Sequence, residues 1–160
     1  MLESVCAPSV LPRRTVRGRG NRRRFPENPT ATPASGLHHG RMALSVLVVD
    51  DDDRFRALAR RVLDECGYRP QSEASSVADA LRQATRHRPD LALVDIGLPD
   101  GNGLELSERL VRSPWAMRVV LVSADADATT QAAAARAGAL GFVAKGDLSC
   151  ATLHALFRDG

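Results

Sequence analysis

The stretch Leu-Ser-Val-Leu-Val-Val-Asp-Asp-Asp occupies residues 44–52 and decides the fold. Its apolar run, residues 44–49, predicts a β-strand that is buried on both faces. Apolar side chains then recur at helical spacing from Phe55 to Leu63, and Gly67 supplies a stop signal. A buried strand followed at once by an amphipathic helix is typical of a parallel β-α unit.

Four similar units follow the first along the chain. The pattern predicts strands at residues 68–72, 91–94, 119–122 and 141–144, and helices at residues 76–88, 104–112, 129–137 and 148–157. Ser76 and Asp79 have the spacing of a capping pair. We therefore predict an α/β fold with a doubly wound, mostly parallel five-stranded sheet. In such a fold the ligand site lies beyond the carboxyl ends of the strands.

The composition fits one domain with one core. The chain has 160 residues, of which 44% are hydrophobic and 26% charged, and no window approaches the roughly 18 apolar residues that span a bilayer. We expect no membrane segment. Cys6, Cys66 and Cys150 show no Cys-x-x-Cys or Cys/His clustering, so we expect neither a disulfide framework nor a zinc site, and a reducing cytoplasm as the location.

The charge is divided unevenly along the chain. Residues 1–41 hold eight arginines against Glu3 and Glu27 (8 − 2 = +6), which leaves 14 − 17 = −3 for residues 42–160. We predict that residues 1–41 form a disordered extension and that residues 42–160 form the domain. Two alternatives stay open. The extension is a basic arm that binds nucleic acid, or, because Met42 directly precedes the first strand, it is an upstream segment produced by start-site choice.

Functional side chains follow the strong strands of the predicted sheet. They are Asp50 and Asp51 after the first strand, Asp95 after the third, Ser123 after the fourth, and Lys145, the only lysine, after the fifth. Parallel strands bring these positions to one edge, where two carboxylates about 4 Å apart repel by roughly 4 kcal/mol at an effective dielectric of 20. The cluster therefore calls for a hard divalent cation such as Mg²⁺. We interpret Asp52 and Asp53 as solvated residues at a helix N-terminus, one of them a cap.

Four motifs together carry a family resemblance. They are Val-Leu-Val-Val-Asp-Asp-Asp at residues 46–52, Leu-Val-Asp-Ile-Gly-Leu-Pro-Asp-Gly-Asn-Gly at 93–103, Leu-Val-Ser-Ala at 121–124 and Gly-Phe-Val-Ala-Lys at 141–145. Over residues 44 to 157 the chain resembles the receiver domain of two-component response regulators. The resemblance implies a flavodoxin-like (βα)₅ receiver fold.

The resemblance also implies a phosphoacceptor site. Asp95 would accept a phosphoryl group from the phosphohistidine of a histidine kinase. Asp51 and Asp95 would bind Mg²⁺ directly, Asp50 through water, and Gly97 through its backbone carbonyl. Self-catalysed phosphotransfer and dephosphorylation would follow, in a regulator that is otherwise not an enzyme.

Three further residues receive roles from the resemblance. Lys145 would pair with the phosphoryl oxygens, Ser123 would donate a hydrogen bond to one of them, and Phe142 would act as the aromatic switch. Packing in the core is the competing interpretation of Phe142. Gly146 stands where the family often has proline, which puts the usual geometry of the last loop in doubt.

Output and partners are less constrained by the sequence. Three residues follow Phe157, so we expect a stand-alone receiver without a DNA-binding domain, whose output is an unknown downstream protein or a homodimer. Two alternative functions remain. One is a Mg²⁺-dependent phosphatase of the haloacid dehalogenase type, with Asp50-x-Asp52 as its nucleophile pair. The other is a receiver that is not phosphorylated and acts only as a binding module.

Overall fold

The structure is a computed structural model that describes residues 43–158. All of these residues belong to one compact unit. The predicted extension, residues 1–41, lies outside the described residues, so its disorder and the domain boundary at residue 42 stay predictions.

The described chain alternates strands and helices. Its strands are β1 Ser45–Val49, β2 Arg69–Ala74, β3 Leu91–Asp95, β4 Gly97–Leu98, β5 Gly101–Asn102, β6 Arg118–Ser123 and β7 Gly141–Ala144. Its α-helices are α1 Asp53–Glu65, α2 Val77–His87, α3 Gly103–Val111, α4 Gln131–Arg136 and α5 Cys150–Arg158, and a 3₁₀ turn covers Lys145–Asp147.

Five of these strands form one parallel sheet in the order β2-β1-β3-β6-β7. This order confirms the predicted doubly wound α/β fold. The chain moves outward from β1 to β2 and then returns to the other side of β1 with β3. The strand order therefore reverses between β1 and β3, and their carboxyl ends frame the crevice where ligands bind in folds of this kind.

The sheet is covered on both faces, which explains the continuous apolar runs 46–49, 91–94 and 119–122 of its central strands. Alternate residues of β1 point to opposite sides, so Leu47 and Val49 join one core layer while Val46 and Val48 join the other. Helices α2, α3 and α4 supply buried residues to the first layer, and α1 and α5 supply them to the second. Each helix buries one apolar stripe against the sheet.

Helix starts agree with the sequence signals. The carboxylate of Asp52 accepts a hydrogen bond from the amide of Arg54 and caps α1, as we predicted for one of the two aspartates. The Ser76 hydroxyl accepts from the amide of Asp79 at 3.1 Å and caps α2. These side chains satisfy backbone donors that the first helical turn leaves free.

Several element ends differ from the prediction. Asp95 and Ser123 are the last residues of β3 and β6 rather than the residues that follow them. Helix α4 is shorter than the predicted 129–137 because Thr130 caps it and Gly138, at φ 77°, ends it. Helix α5 begins at Cys150 because a 3₁₀ turn follows β7. The β4-β5 hairpin was not predicted, since its strands are too short to show a period.

A disulfide joins Cys66, the C-cap of α1, to Cys150, the first residue of α5. The expectation of no disulfide is therefore wrong for these two cysteines, and the argument from them for a reducing compartment loses its basis. The two residues are 84 positions apart in sequence. They meet because α1 and α5 cover the same face of the sheet, which no cysteine spacing reveals.

Reducing this disulfide should destabilise the domain. Opening a cross-link between residues 84 positions apart returns conformational freedom to the unfolded chain, so we expect a loss of about 2–4 kcal/mol of unfolding free energy. Urea denaturation of a Cys6→Ser background, with and without dithiothreitol, measures this loss. The control is the same background with Cys66→Ser added. Its urea midpoint should be the same with and without dithiothreitol, because it has no such bond to reduce. Identical midpoints for the oxidised and reduced background would contradict the expectation.

Candidate functional site

Three carboxylates meet where β1 and β3 end. Val49 lies opposite Val94 in the sheet, so Asp50 and Asp95 are the next residues along two neighbouring strands. Asp50 and Asp95 are buried, whereas Asp51 is exposed. One carboxylate oxygen of each of the three lies within 4.8 Å of the others. The convergence that the sequence predicted for these residues is therefore observed.

Backbone contacts hold Asp50 in place. Its amide donates to the carbonyl of Ala74 at 3.0 Å, and its carboxylate oxygen Oδ1 accepts from the amide of Asp52 at 2.9 Å. The guanidinium of Arg56 donates to the Asp50 carbonyl at 2.7 Å. The bonds to Ala74 and Arg56 fix the backbone of Asp50, and the bond from the amide of Asp52 orients its carboxylate.

Close backbone packing fixes Asp95. A Cβ atom on Gly103 would lie 2.1 Å from the carbonyl oxygen of Asp95, so only glycine allows α3 to begin this close to β3. A Cβ on Gly97 would lie 3.7 Å from Oδ2 of Asp95. The backbone of Gly97 therefore passes close to the carboxylate of Asp95.

Asp100 anchors the β4-β5 hairpin that carries Gly97. Its carboxylate accepts hydrogen bonds from the amides of Val77 at 2.7 Å and Ala78 at 3.0 Å, at the start of α2. The bonds from Ala78 and then Val77 hold the pKa of Asp100 below its ordinary value. The sequence analysis missed this residue because the contact joins two distant segments and leaves no local signal.

Lys145, the only lysine of the chain, brings its ammonium into the cluster. Its Nζ lies 2.6 Å from Oδ2 of Asp50 and 3.4 Å from Oδ1 of Asp95, and its side chain is only 16% exposed. Burial lowers the pKa of Lys145, but the hydrogen bond and charge of Asp50, and then the charge of Asp95, outweigh burial and raise it. Three carboxylates and one ammonium leave −3 + 1 = −2. This donor set fits a divalent cation, because it offers hard oxygen ligands and a matching charge deficit.

Ser123 lies at the same edge of the sheet. It is buried and is the last residue of β6. The residue before it, Val122, pairs with Asp95 of β3, and Ser123 itself pairs with Ala144 of β7. Its hydroxyl accepts a hydrogen bond from the amide of Asp125 at 3.2 Å. Ser123 is thus one residue beyond the partner of Asp95 on the neighbouring strand, at the edge of the sheet where the sequence predicted it.

Phe142 lies outside the acidic cluster. It is half-buried on β7 and packs against the core layer formed with α2, α3 and α4. Its amide donates to the side-chain oxygen of Gln131 at 3.1 Å, and its carbonyl accepts from the side-chain nitrogen of Gln131 at 2.8 Å. The first residue of α4 is thus hydrogen-bonded to the edge of β7, a link that the sequence analysis did not foresee.

Burial raises the pKa of Asp95, and repulsion from Asp50 raises it further, while Lys145 offsets only part of the increase. A raised pKa means that the ionised carboxylate is less favourable in the folded than in the unfolded chain. The stability that protonated Asp95 contributes is therefore fully present below its unfolded pKa of about 3.9. It is lost as the pH rises through the folded value.

Asp95→Asn should therefore raise the melting temperature at pH 7 in the presence of a chelator. About 1 kcal/mol of relieved repulsion corresponds to a rise of roughly 4 °C, and the gain should shrink as the pH falls towards 3. Calorimetric melting across this pH range measures the effect. Asp64→Asn, an exposed change on α1, is the control. A melting temperature at pH 7 that is equal to or below that of the wild type would contradict the assignment of repulsion to Asp95.

Within residues 43–158, no helix has the combination of length and apolar character that crossing a bilayer requires.

Comparisons with known proteins point in one direction. The family described as response regulator receiver domain matches residues 46–156. The response regulator UvrY of Escherichia coli is 31% identical over 104 residues, which cover 64% of this chain and 48% of UvrY. The KDP operon transcriptional regulatory protein KdpE of Escherichia coli is 36% identical over 101 residues, covering 63% of this chain and 44% of KdpE. The chain thus spans about half the length of these curated relatives.

Solved structures agree. A CheY-like response regulator receiver domain protein from Methanospirillum hungatei superposes with a TM-score of 0.63 at 25% identity, covering 74% of this chain and 93% of that one. The response regulator domain of Thermotoga maritima CheB gives a TM-score of 0.62 at 27% identity, covering 74% and 96%.

Proposed function

The chain belongs to the response regulator receiver domain family, whose members are phosphoacceptors of two-component systems, and we propose that Asp95 is its acceptor residue. The position of Asp95 carries this proposal. It ends a central strand, groups with the carboxylates of Asp50 and Asp51, lies 3.4 Å from the ammonium of Lys145, and is the carboxylate that Gly97 of the β4-β5 hairpin passes.

We assign Mg²⁺ as the cofactor. Asp51 and Asp95 would bind it through their carboxylates, Asp50 through water, and Gly97 through its backbone carbonyl. The net charge of −2 and the exclusively oxygen donor set support this assignment. When bound, the ion supplies positive charge that stabilises the phosphoryl oxygens.

In the transfer, a carboxylate oxygen of Asp95 attacks phosphorus of a phosphohistidine. The P–N bond breaks, its electron pair stays on the imidazole, and an acyl phosphate forms. The ammonium of Lys145, already 3.4 Å from Asp95, donates to one phosphoryl oxygen, and the hydroxyl of Ser123 donates to another. Phosphoryl transfer needs mainly a positioned nucleophile and compensation of this charge.

Phosphorylation would act outward through Ser123 and Phe142. The paired hydrogen bonds between Gln131 and Phe142 support this proposal, since a shift of β7 would carry the start of α4 with it.

Amide exchange over residues 123–145 with and without beryllofluoride measures this link. Changes confined to the neighbours of Asp95 would contradict it.

The partners follow from this function. A histidine kinase would supply the phosphoryl group, and an unidentified downstream protein or a second copy of the chain would read it. The protein would be a regulator with self-catalysed transfer and dephosphorylation rather than an enzyme acting on a separate substrate. We place it in the cytoplasm with its kinase, where thiol reductants would act on the Cys66–Cys150 bond.

Intact-mass measurement after incubation with acetyl phosphate and Mg²⁺ tests the acceptor. We expect one phosphoryl group on the wild type and none on Asp95→Asn, because the substituted amide is not a competent nucleophile. Asp64→Asn, which changes an exposed carboxylate on α1, should label like the wild type.

The outcome also separates the two alternative functions. A phosphatase of the haloacid dehalogenase type would lose labelling with Asp50→Asn and keep it with Asp95→Asn. A pure binding module would not label in any variant. Undiminished labelling of Asp95→Asn would overturn the proposal.

A further inference from the structure

The ammonium of Lys145 has a third neighbour besides its two carboxylates. Its Nζ lies 4.7 Å from the ring centroid of Phe55, within the range of a cation–π contact. We propose that Phe55 is a positioning residue, whose ring holds the ammonium of Lys145 between Asp50 and Asp95. The effect on phosphorylation rests on the proposed function, whereas the contact itself does not.

The start of α1 sets the position of this ring. Asp52 caps the helix and donates its own amide to Asp50, and Arg56 donates its guanidinium to the carbonyl of Asp50. Phe55 lies between these two residues in sequence, so its backbone is fixed relative to Asp50 from both sides. Phe55 is 6% exposed and belongs to the core layer formed with α1 and α5.

An aromatic ring has an advantage over a further acidic residue at this place. The half-buried ammonium of Lys145 has lost water, and the face of a π-system compensates for that loss without adding charge. A fourth carboxylate would instead change the cluster from −2 to −3 and strengthen the repulsion among its members. The ring therefore retains the cation and leaves the charge deficit for a divalent ion unchanged.

The ring contact also permits movement. Lys145 is closer to Asp50 than to Asp95, so its ammonium has to shift towards Asp95 to meet a phosphoryl group there. A hydrogen bond is directional, whereas attraction to a ring face tolerates a sliding cation. Phe55 can therefore stay in contact with Lys145 while the ammonium exchanges one oxygen partner for another.

Simple core packing is the competing explanation, and the chain offers a matched control for it. Phe157 is also 6% exposed and belongs to the same core layer, but its ring packs against that of Tyr68, with the ring centroids 5.2 Å apart. Phe157→Leu and Phe55→Leu therefore remove the same atoms from the same layer. Only Phe55→Leu removes a ring from Lys145.

The single lysine makes the contact directly observable. With ¹³C-labelled lysine, Lys145 gives the only lysine resonances, and protons above an aromatic face are shifted upfield. We expect the εCH₂ signal of the metal-free wild type to be upfield and to move to an ordinary position in Phe55→Leu. Phe157→Leu should leave it unchanged, and Phe55→Tyr should restore it. An εCH₂ signal that is the same in Phe55→Leu and the wild type would overturn the proposal.

The second measurement is the rate of labelling by acetyl phosphate with Mg²⁺. We expect Phe55→Leu to be about 2- to 30-fold slower, the range that corresponds to a cation–π contact, and Phe55→Tyr to recover the rate. An equal loss in Phe157→Leu would show that packing alone is responsible and would overturn the positioning role. If the wild type is not labelled at all, the proposed function fails, while the resonance shift still decides whether Phe55 holds Lys145.

Discussion

Mutual repulsion among Asp50, Asp51 and Asp95, balanced by Lys145, is the constraint on which the rest of this structure depends. Parallel strands place their carboxyl ends along one edge, so Asp50, which follows β1, lies next to Asp95, the last residue of β3. Lys145 spans the two buried carboxylates at 2.6 and 3.4 Å. The remaining charge of −2 favours binding of a divalent cation at this edge of the sheet.

The surrounding chain holds this unfavourable cluster in place. Gly103 lets α3 start against the backbone of Asp95, Arg56 ties α1 to Asp50, and Asp100 ties the Gly97 loop to α2. None of these contacts neutralises the site. They prevent the carboxylates from moving apart. The repulsion therefore persists in the metal-free protein and is relieved when a cation binds.

The sequence predicts the sheet and the convergence of Asp50, Asp95 and Lys145 because both follow from local periodicity and from the geometry of parallel strands. It could not predict contacts that depend on how helices dock. The Cys66–Cys150 bond, the ring of Phe55 over Lys145 and the pairing of Gln131 with Phe142 each join residues whose proximity no spacing encodes. Helix α4 was predicted too long mainly at its start, because Thr129 and Thr130 are both possible first residues and only the structure shows that Thr130 is the cap.

The affinity of Mg²⁺ for a lysine-free variant tests the central claim most directly. If Lys145 and the cation compensate the same carboxylates, Lys145→Met changes the cluster from −2 to −3 and should bind Mg²⁺ more tightly than the wild type in a calorimetric titration. Arg61→Met removes the same charge from the exposed surface of α1 and should leave the dissociation constant nearly unchanged. Equal or weaker binding by Lys145→Met would contradict the account.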